Sequence, residues 1–414
     1  MISSASPHLA PREHCTGCGA CASGCPRGAI KMVSDKEGFL YPDVTEACVH
    51  CGHCTHICPM LKHREQRPDP TVFAVWNEND EMRGHSTSGG AFAAIASFVL
   101  ESGGVVFGAA MDSDMRVVHT AIQAKEDLPR LMGAKLVQSD MGECFQQVRY
   151  YLDRGMDVFF TGTPCQVDGL YRFLGESPER LLTADVLCSG VPSPGVWSKT
   201  VEAMHYIKQR RVKTVQFCKK NSGADSRFVV DFEGGGQYDA PLTKSDYGRG
   251  LFRGLFLRPA CYHCPYCSTN RAADLTLGTF RGLPADFRPN QQKKGISMLL
   301  INTVKGAHFF DMIPLQREKR TLQEAVESNP ALSRNPVSPK ERAAFFDAYV
   351  NQPFHKVYQR FFSISDWSYR VANDGKLRNF IRRIKSGRNL LRSLLCILRG
   401  AAAHGGYRAD RLLV

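Results

Sequence analysis

Short apolar runs alternate with helical patterns between residue 71 and about residue 304. Runs rich in Val, Ile, Leu and Phe and bounded by turn residues predict strands, whereas apolar positions at helical spacing predict helices. The predicted strands are Thr71–Trp76, Gly104–Ala110, Asp157–Thr161, Leu181–Leu187, Ala273–Leu277 and Ile296–Thr303, and the predicted helices include Gly90–Glu101, Cys144–Arg154 and Val167–Phe173. This alternation predicts an α/β (α+β) domain built on a mixed sheet.

The pattern changes on both sides of this region. Residues 1–62 are rich in cysteine and short in regular elements, and residues 63–70 read as a polar linker with two prolines. After Gly306 the chain reads as mostly helical and polar and ends in a basic tail. We therefore predict four parts: residues 1–62, 71–160, 161–320 and 321–414.

Cysteine is the residue type that narrows the class of protein. The chain has 414 residues and 16 cysteines, eight of which fall between Cys15 and Cys58. The first eleven residues lack the apolar core of a secretory signal, and no apolar run reaches the ~18 residues of a bilayer span. We therefore expect a cytoplasmic protein. In that compartment, clustered cysteines bind metal more often than they form disulfides.

The eight N-terminal cysteines form two matching runs. Cys-x-x-Cys-x-x-Cys-x-x-x-Cys-Pro occurs first at Cys15–Pro26 and again at Cys48–Pro59. This spacing is typical of bacterial ferredoxins with two 4Fe–4S clusters, in which the fourth cysteine of each run ligates the other cluster. We assign Cys15, Cys18, Cys21 and Cys58 to one cluster, and Cys48, Cys51, Cys54 and Cys25 to the other. Paired structural zinc sites are the alternative.

Further cysteines follow two of the predicted strands. Cys165 and Cys188 come just after Asp157–Thr161 and Leu181–Leu187, at the strand ends where α/β sheets bind ligands. A third group, Cys261-x-x-Cys264-x-x-Cys267, precedes Ala273–Leu277. Together these cysteines predict a third cluster, with zinc as the alternative, although each one alone is commonly a small buried hydrophobe.

Ser86–Gly90 is a hydroxyl- and glycine-rich segment before an apolar helical pattern. Such a segment binds an anion through free backbone N–H groups, or simply caps the helix. The sequence contains neither a Walker A motif nor a Gly-x-Gly-x-x-Gly motif after a strand. The usual nucleotide-binding fingerprints are therefore missing.

Taken together, these motifs resemble the family of coenzyme F-420 hydrogenase/dehydrogenase beta subunits, and Thr161–Gln166 (Thr-Gly-Thr-Pro-Cys-Gln) is the most distinctive match. The stretches that carry the resemblance are Ser86–Ala91, Gly103–Asp112, Gly133–Ser139, Thr161–Gly169, Cys188–Trp197 and Arg258–Gly282, with a looser match over Glu327–Phe346. The resemblance implies an iron–sulfur flavoprotein oxidoreductase that binds FAD. It would pass electrons between 4Fe–4S clusters and a hydride carrier or an organic substrate. Some bacterial relatives of this family are associated with surface polysaccharide synthesis.

The resemblance also assigns residues. It implies that Cys165, Cys188, Cys261 and Cys264 hold the third cluster, with Cys267 as an extra cysteine or a replacement for Cys165. It places the flavin against Ser88, Gly89, Gly90, Lys135, Thr161, Gly162, Thr163, Pro164 and Gln166. Lys135 and Cys165 are the predicted catalytic residues, Lys135 by stabilising negative charge on reduced flavin or on a phosphate. A solvated surface lysine is the alternative for Lys135.

Two motifs depart from the family pattern. Ser189 stands where the family commonly has His, and Thr279–Arg281 replaces an Asp-Phe-Trp sequence. Both changes fall close to the implied flavin and cluster. The alternative function is therefore an electron-transfer or assembly-partner protein without catalytic activity that has lost flavin binding.

The basic charge is concentrated at the C-terminus. Residues 376–414 carry ten Lys or Arg and one Asp, so +9 of the net +13 lies there. Residues 376–399 can form a basic amphipathic helix, which suits peripheral contact with an anionic membrane, or docking on the protein's own surface or an acidic partner. No aromatic-basic module accompanies the charge, so we expect no nucleic-acid partner. The expected partners are a redox protein or a reduced ferredoxin or deazaflavin donor.

Overall fold

The structure is a computed structural model that describes residues 8–62, 65–220 and 226–362. The chain divides into two compact units, Met1–Val357 and Tyr358–Val414. The predicted basic tail, residues 376–414, lies outside the described residues. Among the residues that are described, no helix is both long and apolar enough to cross a membrane.

The N-terminal part is a small domain of two short helices and one hairpin. Its elements are α1 (Ala20–Ser23), β1 (Ile30–Ser34), β2 (Leu40–Val44) and α2 (His53–His56). The two strands pair antiparallel, with Ile30 opposite Val44. One cysteine run precedes this hairpin in the chain and the other follows it.

The two cysteine runs adopt the same backbone conformation. Gly19 and Gly52, each directly after the second cysteine of its run, have φ of 79° and 72° and precede α1 and α2. Gly17 and His50, each directly before that cysteine, also have positive φ, at 67° and 56°. The left-handed region suits glycine because it lacks a Cβ atom. The sequence repeat is thus a structural repeat, with His50 taking a conformation that glycine takes in the first run.

An eight-stranded mixed sheet forms the centre of the larger domain, with the order β13-β3-β12-β11-β7-β6-β4-β5. Its strands are β3 (Thr71–Trp76), β4 (Val105–Met111), β5 (Val117–Ile122), β6 (Val158–Gly162), β7 (Leu181–Val186), β11 (Leu275–Thr279), β12 (Ser297–Ile301) and β13 (Gln316–Arg320). The four strands β4, β6, β7 and β11 run parallel, and the outer strands are antiparallel to their neighbours. All six predicted strands are present, and the predicted mixed sheet is confirmed.

Helices cover both faces of this sheet. After α2, the helices among the described residues are α3 (Asp80–His85), α4 (Ala91–Glu101), α5 (Leu128–Leu131), α6 (Cys144–Leu152), α7 (Pro164–Leu174), α8 (Pro194–Lys208), α9 (Asp246–Phe252), α10 (Pro289–Lys294), α11 (Val304–Met312), α12 (Leu322–Ser328), α13 (Arg342–Asn351) and α14 (Phe354–Phe362), not all of which contact the sheet. One hydrophobic cluster joins α4 and α11 to the sheet through residues such as Ile95, Phe159 and Phe310. On the opposite face, Phe145 of α6 and Leu170 of α7 pack against Phe160. Adjacent Phe159 and Phe160 point to opposite faces because side chains alternate along a strand.

A second, three-stranded antiparallel sheet was not predicted from the sequence. It consists of β8 (Val212–Lys219), β9 (Arg227–Phe232) and β10 (Gln237–Pro241). Trp197 of α8 packs against Phe217 and Tyr247, with ring centroids 4.9 and 5.2 Å apart. Strand β13 also went unpredicted, because Gln-Arg-Glu-Lys-Arg is entirely polar and becomes a strand only by pairing with β3.

The N-terminal domain is fixed to the larger domain at its hairpin turn. A Cβ atom on Gly38 would lie 2.5 Å from the Cα atom of Gly195, so the two backbones touch. Ser193 donates a hydrogen bond to the carbonyl of Glu37 (2.6 Å), and Arg342 binds the Glu37 carboxylate with both terminal nitrogens. Bidentate arginine–carboxylate pairs are geometrically specific. These contacts hold the cysteine runs at a defined place on the α/β domain.

Candidate functional site

The first predicted cysteine group gathers around one cavity. Cys15, Cys18 and Cys21 line it together with Cys58 from the second run. Burial raises the pKa of Cys21 to about 12, and the neighbouring Cys15 and Cys58 thiols contribute to that rise. The structure therefore brings together three cysteines of one run with the fourth cysteine of the other.

The second group is connected through backbone hydrogen bonds. The Ala29 N–H donates to the sulfur of Cys25 (3.3 Å), and the Ala29 carbonyl accepts from the N–H of Thr45 (2.8 Å). The Thr45 carbonyl in turn accepts from the N–H of Cys48 (3.1 Å). Cys51 lies close enough to raise the pKa of Cys54, after the larger effect of burial. N–H donation to a cluster sulfur is one of the devices that tune an iron–sulfur centre.

The third group contains five cysteines. Cys165 is the second residue of α7, directly after β6, and Cys188 lies two residues beyond the parallel neighbour β7. Burial raises the pKa of Cys188, and Cys261, Cys165 and Cys264 raise it further. The N–H of Val191 donates to the sulfur of Cys261 (3.4 Å). The structure thus brings the four predicted residues together at the carboxyl edge of the sheet.

Cys267 belongs to the same neighbourhood. A hydrogen bond between Cys267 and Cys264 raises the pKa of Cys264. Cys188 and Cys261 are close enough to act on the pKa of Cys267. The geometry therefore keeps both versions of the ligand set open, with Cys165 or with Cys267. Over the described ranges, no three His, Cys, Asp or Glu side chains are arranged to hold a single metal ion.

A buried arginine beside the third group fits an anionic cofactor. The Arg271 side chain is 1% exposed, and its Nη1 donates to the carbonyl of Tyr266 (2.9 Å). Its Nε and Nη2 find no hydrogen-bond acceptor in the described structure, with the Asp185 carboxylate 3.9 Å from Nε. Buried donors are almost always paired in native proteins. Because Arg271 also attracts the thiolates of Cys264 and Cys267, an iron–sulfur cluster would supply the missing acceptors.

Cys18 brings the first cysteine group close to the third. A Cβ atom on Gly169 would lie 3.1 Å from the Cys18 sulfur, so Cys18 packs directly on α7. Gly169 is one helical turn after Cys165, and Cys165 raises the pKa of Cys18 after the larger effect of burial. The N-terminal domain therefore meets α7 one helical turn from Cys165 of the third cysteine group.

A hydrogen-bond network that the sequence did not reveal holds the Thr161–Gln166 turn. His119 Nε2 donates to the carbonyl of Thr161 (2.9 Å), so its Nδ1 accepts from the hydroxyl of Ser139 (2.8 Å). Ser139 accepts from the amide of Gln166 (2.9 Å), whose carbonyl oxygen accepts from the N–H and hydroxyl of Thr163. Burial lowers the pKa of His119 to about 4, so the imidazole is neutral near pH 7.

Lys135 lies near this turn but has acceptors of its own. Its Nζ donates to the carbonyls of Arg130 (2.9 Å) and Met132 (2.6 Å) at the end of α5. Burial lowers its pKa to about 7. Leu131 lies between Arg130 and Met132 in the chain. A Cβ atom on Gly108 would meet both the Leu131 side chain and the Thr161 hydroxyl, so these two side chains pack on the same side of Gly108. Lys135 is therefore a shielded lysine bound to the carbonyls on either side of Leu131, which packs against β4 at Gly108.

Ser88, Gly89 and Gly90 lie several strands away, where β3 and β12 pair. Ser88 donates to the carbonyl of Ile296 (2.7 Å), and the Gly89 N–H donates to the hydroxyl of Ser297 (2.9 Å). Gly90 has φ of 86° and begins α4 without a capping side chain. Lys220 donates to the carbonyl of Ser88, and burial lowers its pKa to about 8. Ser88 and Gly89 are thus hydrogen-bonded to residues at the start of β12. The N-terminus of α4, which has no capping side chain, stays electropositive.

Comparison with known proteins identifies both parts of this site. Residues 14–62 match the 4Fe-4S dicluster domain. Residues 155–327 match the coenzyme F420 hydrogenase/dehydrogenase beta subunit, C terminus. The chain thus contains one match to each of these two domains. The beta-subunit domain contains the third cysteine group and Thr161–Gln166, whereas Ser88–Gly90 and Lys135 precede it.

Three curated relatives support this assignment. A component of the F420H2 dehydrogenase of Methanosarcina mazei is 21% identical over 312 residues, which cover 72% of this chain and 82% of that protein. An uncharacterised ferredoxin of Methanocaldococcus jannaschii is 37% identical over 51 residues, covering 12% of this chain and 66% of the ferredoxin. The coenzyme F420-dependent sulfite reductase of the same organism is 26% identical over 169 residues, covering 38% of this chain and 24% of the reductase.

Among solved structures, a chain of the F420-reducing NiFe hydrogenase complex from Methanosarcina barkeri aligns with a TM-score of 0.41. The alignment has 17% identity and covers 71% of this chain and 92% of that one. The domain matches and the curated relatives make the chain an iron–sulfur protein of the oxidoreductase class, related to the subunits of F420 hydrogenases and dehydrogenases.

Proposed function

We propose that this chain is an iron–sulfur flavoprotein that passes electrons between three 4Fe–4S clusters and a hydride carrier or organic substrate through FAD. The observation that carries the proposal is the contact of Cys18 with α7 at Gly169, one turn from Cys165. It makes the N-terminal cysteines and the third cysteine group neighbours. Electron transfer needs such closeness between centres, whereas independent structural metal sites do not.

Each cysteine group has a distinct place in this proposal. Cys48, Cys51, Cys54 and Cys25 hold the outer cluster, and Cys51 is exposed to solvent, where a redox partner protein can approach. Cys15, Cys18, Cys21 and Cys58 hold the middle cluster next to the α/β domain. Cys165, Cys188, Cys261 and Cys264 hold the inner cluster, with the Arg271 side chain near Cys264.

The flavin is proposed to lie along the carboxyl edge of the sheet. When bound, a flavin exchanges two electrons as hydride with a carrier or substrate and single electrons with a cluster. The uncapped N-terminus of α4 would hold its phosphates. The Thr161–Gln166 turn, fixed by His119 and Ser139, would orient the ring system. Lys135 Nζ, with its pKa lowered to about 7, can hold or release a proton near neutral pH.

The electron donor and the organic substrate are proposed from the names of the relatives. Their names link the M. mazei protein to an F420H2 dehydrogenase and the M. jannaschii reductase to F420-dependent sulfite reduction. We propose a reduced deazaflavin or a reduced ferredoxin as the electron donor, delivered by a redox partner. Intermediates of surface polysaccharide synthesis are the organic substrates to screen first.

A second function has its own support in the structure. The Ser88 hydroxyl, the Gly89 N–H and the Lys135 ammonium all have protein acceptors. These contacts favour a chain that carries electrons or assists a partner without binding flavin. Flavin content separates the two functions.

Anaerobically purified full-length protein should release about one yellow chromophore per chain on acid treatment, identified by mass as FAD. Gly90→Ala should reduce the bound FAD several-fold while leaving iron unchanged, because alanine strains the left-handed turn that begins α4. Gly103→Ala is the matched control, since Gly103 also has positive φ at the other end of α4 but faces open space. Iron without any flavin in the wild-type protein would establish the second function instead.

A further inference from the structure

Arg258 is a fully buried arginine between the two domains. Its side chain is 0% exposed. Nε donates to the carbonyl of Cys15 (2.6 Å), Nη2 to the carbonyl of Leu40 (3.0 Å), and Nη1 to the amide oxygen of Gln138 (3.0 Å). Nη2 also lies 3.8 Å from the Cys15 sulfur. The guanidinium is therefore hydrogen-bonded to neutral acceptors and to a predicted cluster ligand.

The charge of Arg258 has no carboxylate partner. None of the ion pairs among the described residues includes it. The face of the Tyr41 ring lies 4.1 Å from its central carbon, which offsets only part of the cost of burying a cation. A buried charge normally requires a compensating charge. A thiolate-ligated cluster at Cys15 would provide one.

The cysteine loop is shaped around this side chain. A Cβ atom on Gly17 would lie 2.6 Å from Nη1 and 2.8 Å from the central guanidinium carbon. Gly17, with φ of 67°, therefore leaves the space that the arginine occupies. The packing brings the cation directly against the loop that carries Cys15 and Cys18.

Arg258 is also joined to the third cysteine group. Its N–H donates to the carbonyl of Val191 (3.0 Å), and its carbonyl accepts from the N–H of Cys261 (2.9 Å). The same Val191 donates through its N–H to the Cys261 sulfur. One residue thus connects the backbone of the inner group with the ligand loop of the middle group.

We propose that Arg258 sets the reduction potential of the cluster held by Cys15, Cys18, Cys21 and Cys58, an inference that rests on the proposed function. Reduction adds one electron and makes the cluster more negative by one charge. A buried cation stabilises the reduced form more than the oxidised form, and charge near the sulfurs is an established lever on potential. Arg258 therefore makes this cluster a better electron acceptor. It acts through the cluster environment and is a positioning residue.

Full-length Arg258→Met and Arg258→Lys should be compared with wild type by potentiometric titration followed by EPR. The EPR signal of this cluster is the one that the Cys21→Ser protein lacks, because Cys21 is one of its proposed ligands. Arg258→Met should weaken the electron affinity of this cluster at least tenfold, which for a one-electron couple is a negative shift of about 59 mV. Arg258→Lys should retain most of the wild-type potential because it keeps the charge.

Arg12→Met is the matched control. Arg12 lies over the same Tyr41 ring at 4.1 Å but is exposed and paired with Asp35, so its loss should leave the potential nearly unchanged. Unchanged potential in Arg258→Met overturns the proposal. An equal shift in Arg258→Lys and Arg258→Met, or iron loss in both, overturns it too, because the residue would then only hold the loop. Absence of the signal from wild type would instead defeat the proposed function itself.

Discussion

Replacing Cys188 with Ser should remove about four of about twelve iron atoms per chain and leave the remaining eight in place. Cys188 lies among Cys165, Cys261 and Cys264 at the carboxyl edge of the sheet, where Nε and Nη2 of Arg271 have no protein acceptor among the described residues. Loss of a thiolate from a four-cysteine site exposes one iron and destabilises the cluster. The measurement is iron and acid-labile sulfide per chain after anaerobic purification.

Cys218→Ser is the control, because Cys218 is a partly buried thiol in β8, outside the three groups. Its iron content should equal that of wild type. Separate Cys165→Ser and Cys267→Ser variants identify the fourth ligand. Only the variant that lacks the true ligand should contain less iron than wild type. Full iron in Cys188→Ser would show that the third cysteine group holds no cluster.

Pairs of substitutions in the N-terminal domain should reveal how its ligands are shared. Cys21→Ser alone should lose about four iron atoms, and adding Cys58→Ser should cost no more, because both residues belong to one cluster. Adding Cys25→Ser instead should raise the loss to about eight, although Cys25 is closer in sequence. The measurement is iron per chain combined with EPR of the dithionite-reduced protein.

Cys218→Ser again serves as the control, because Cys218 lies in β8, outside the three cysteine groups. The reverse result, with Cys21 and Cys25 acting as one unit, would mean that each run holds its own cluster. Zinc in place of iron would reject the iron–sulfur assignment for this domain altogether.

The central strands could be predicted because they are buried on both sides. Val-Phe-Phe-Thr-Gly of β6 is buried at every position and reads as a strand without any partner. Strand β13 shows the limit, since its five polar residues are defined by their pairing with β3 alone. Strand β8 alternates irregularly, and its pairing with β9 contains two register shifts, so its pattern is weak in the sequence. Local patterns thus reveal buried strands and miss those made by tertiary pairing.

The same distinction applies to the candidate site. The cysteine ligand groups could be predicted from their spacing, because three thiols at fixed intervals in one loop are typical of a cluster-binding run. Arg258 and His119 have no such signal. Arg258 meets Cys15 across 243 positions of sequence, and His119 meets Thr161 across 42. The glycine at position 17 leaves room for Arg258, whereas its place in the sequence indicates only that the loop can curl there.

The central claim is that one chain carries electrons through its clusters to a flavin, and an anaerobic reductive titration tests it most directly. Full-length protein should accept about five electrons, one for each of three clusters and two for FAD. Flavin bleaching near 450 nm (approximate,) should accompany the appearance of reduced-cluster EPR signals. The Cys188→Ser protein should still reduce its N-terminal clusters, while its flavin should be reduced at least tenfold more slowly. Uptake of only two or three electrons with no flavin bleaching, or equally fast flavin reduction in Cys188→Ser, would contradict the account.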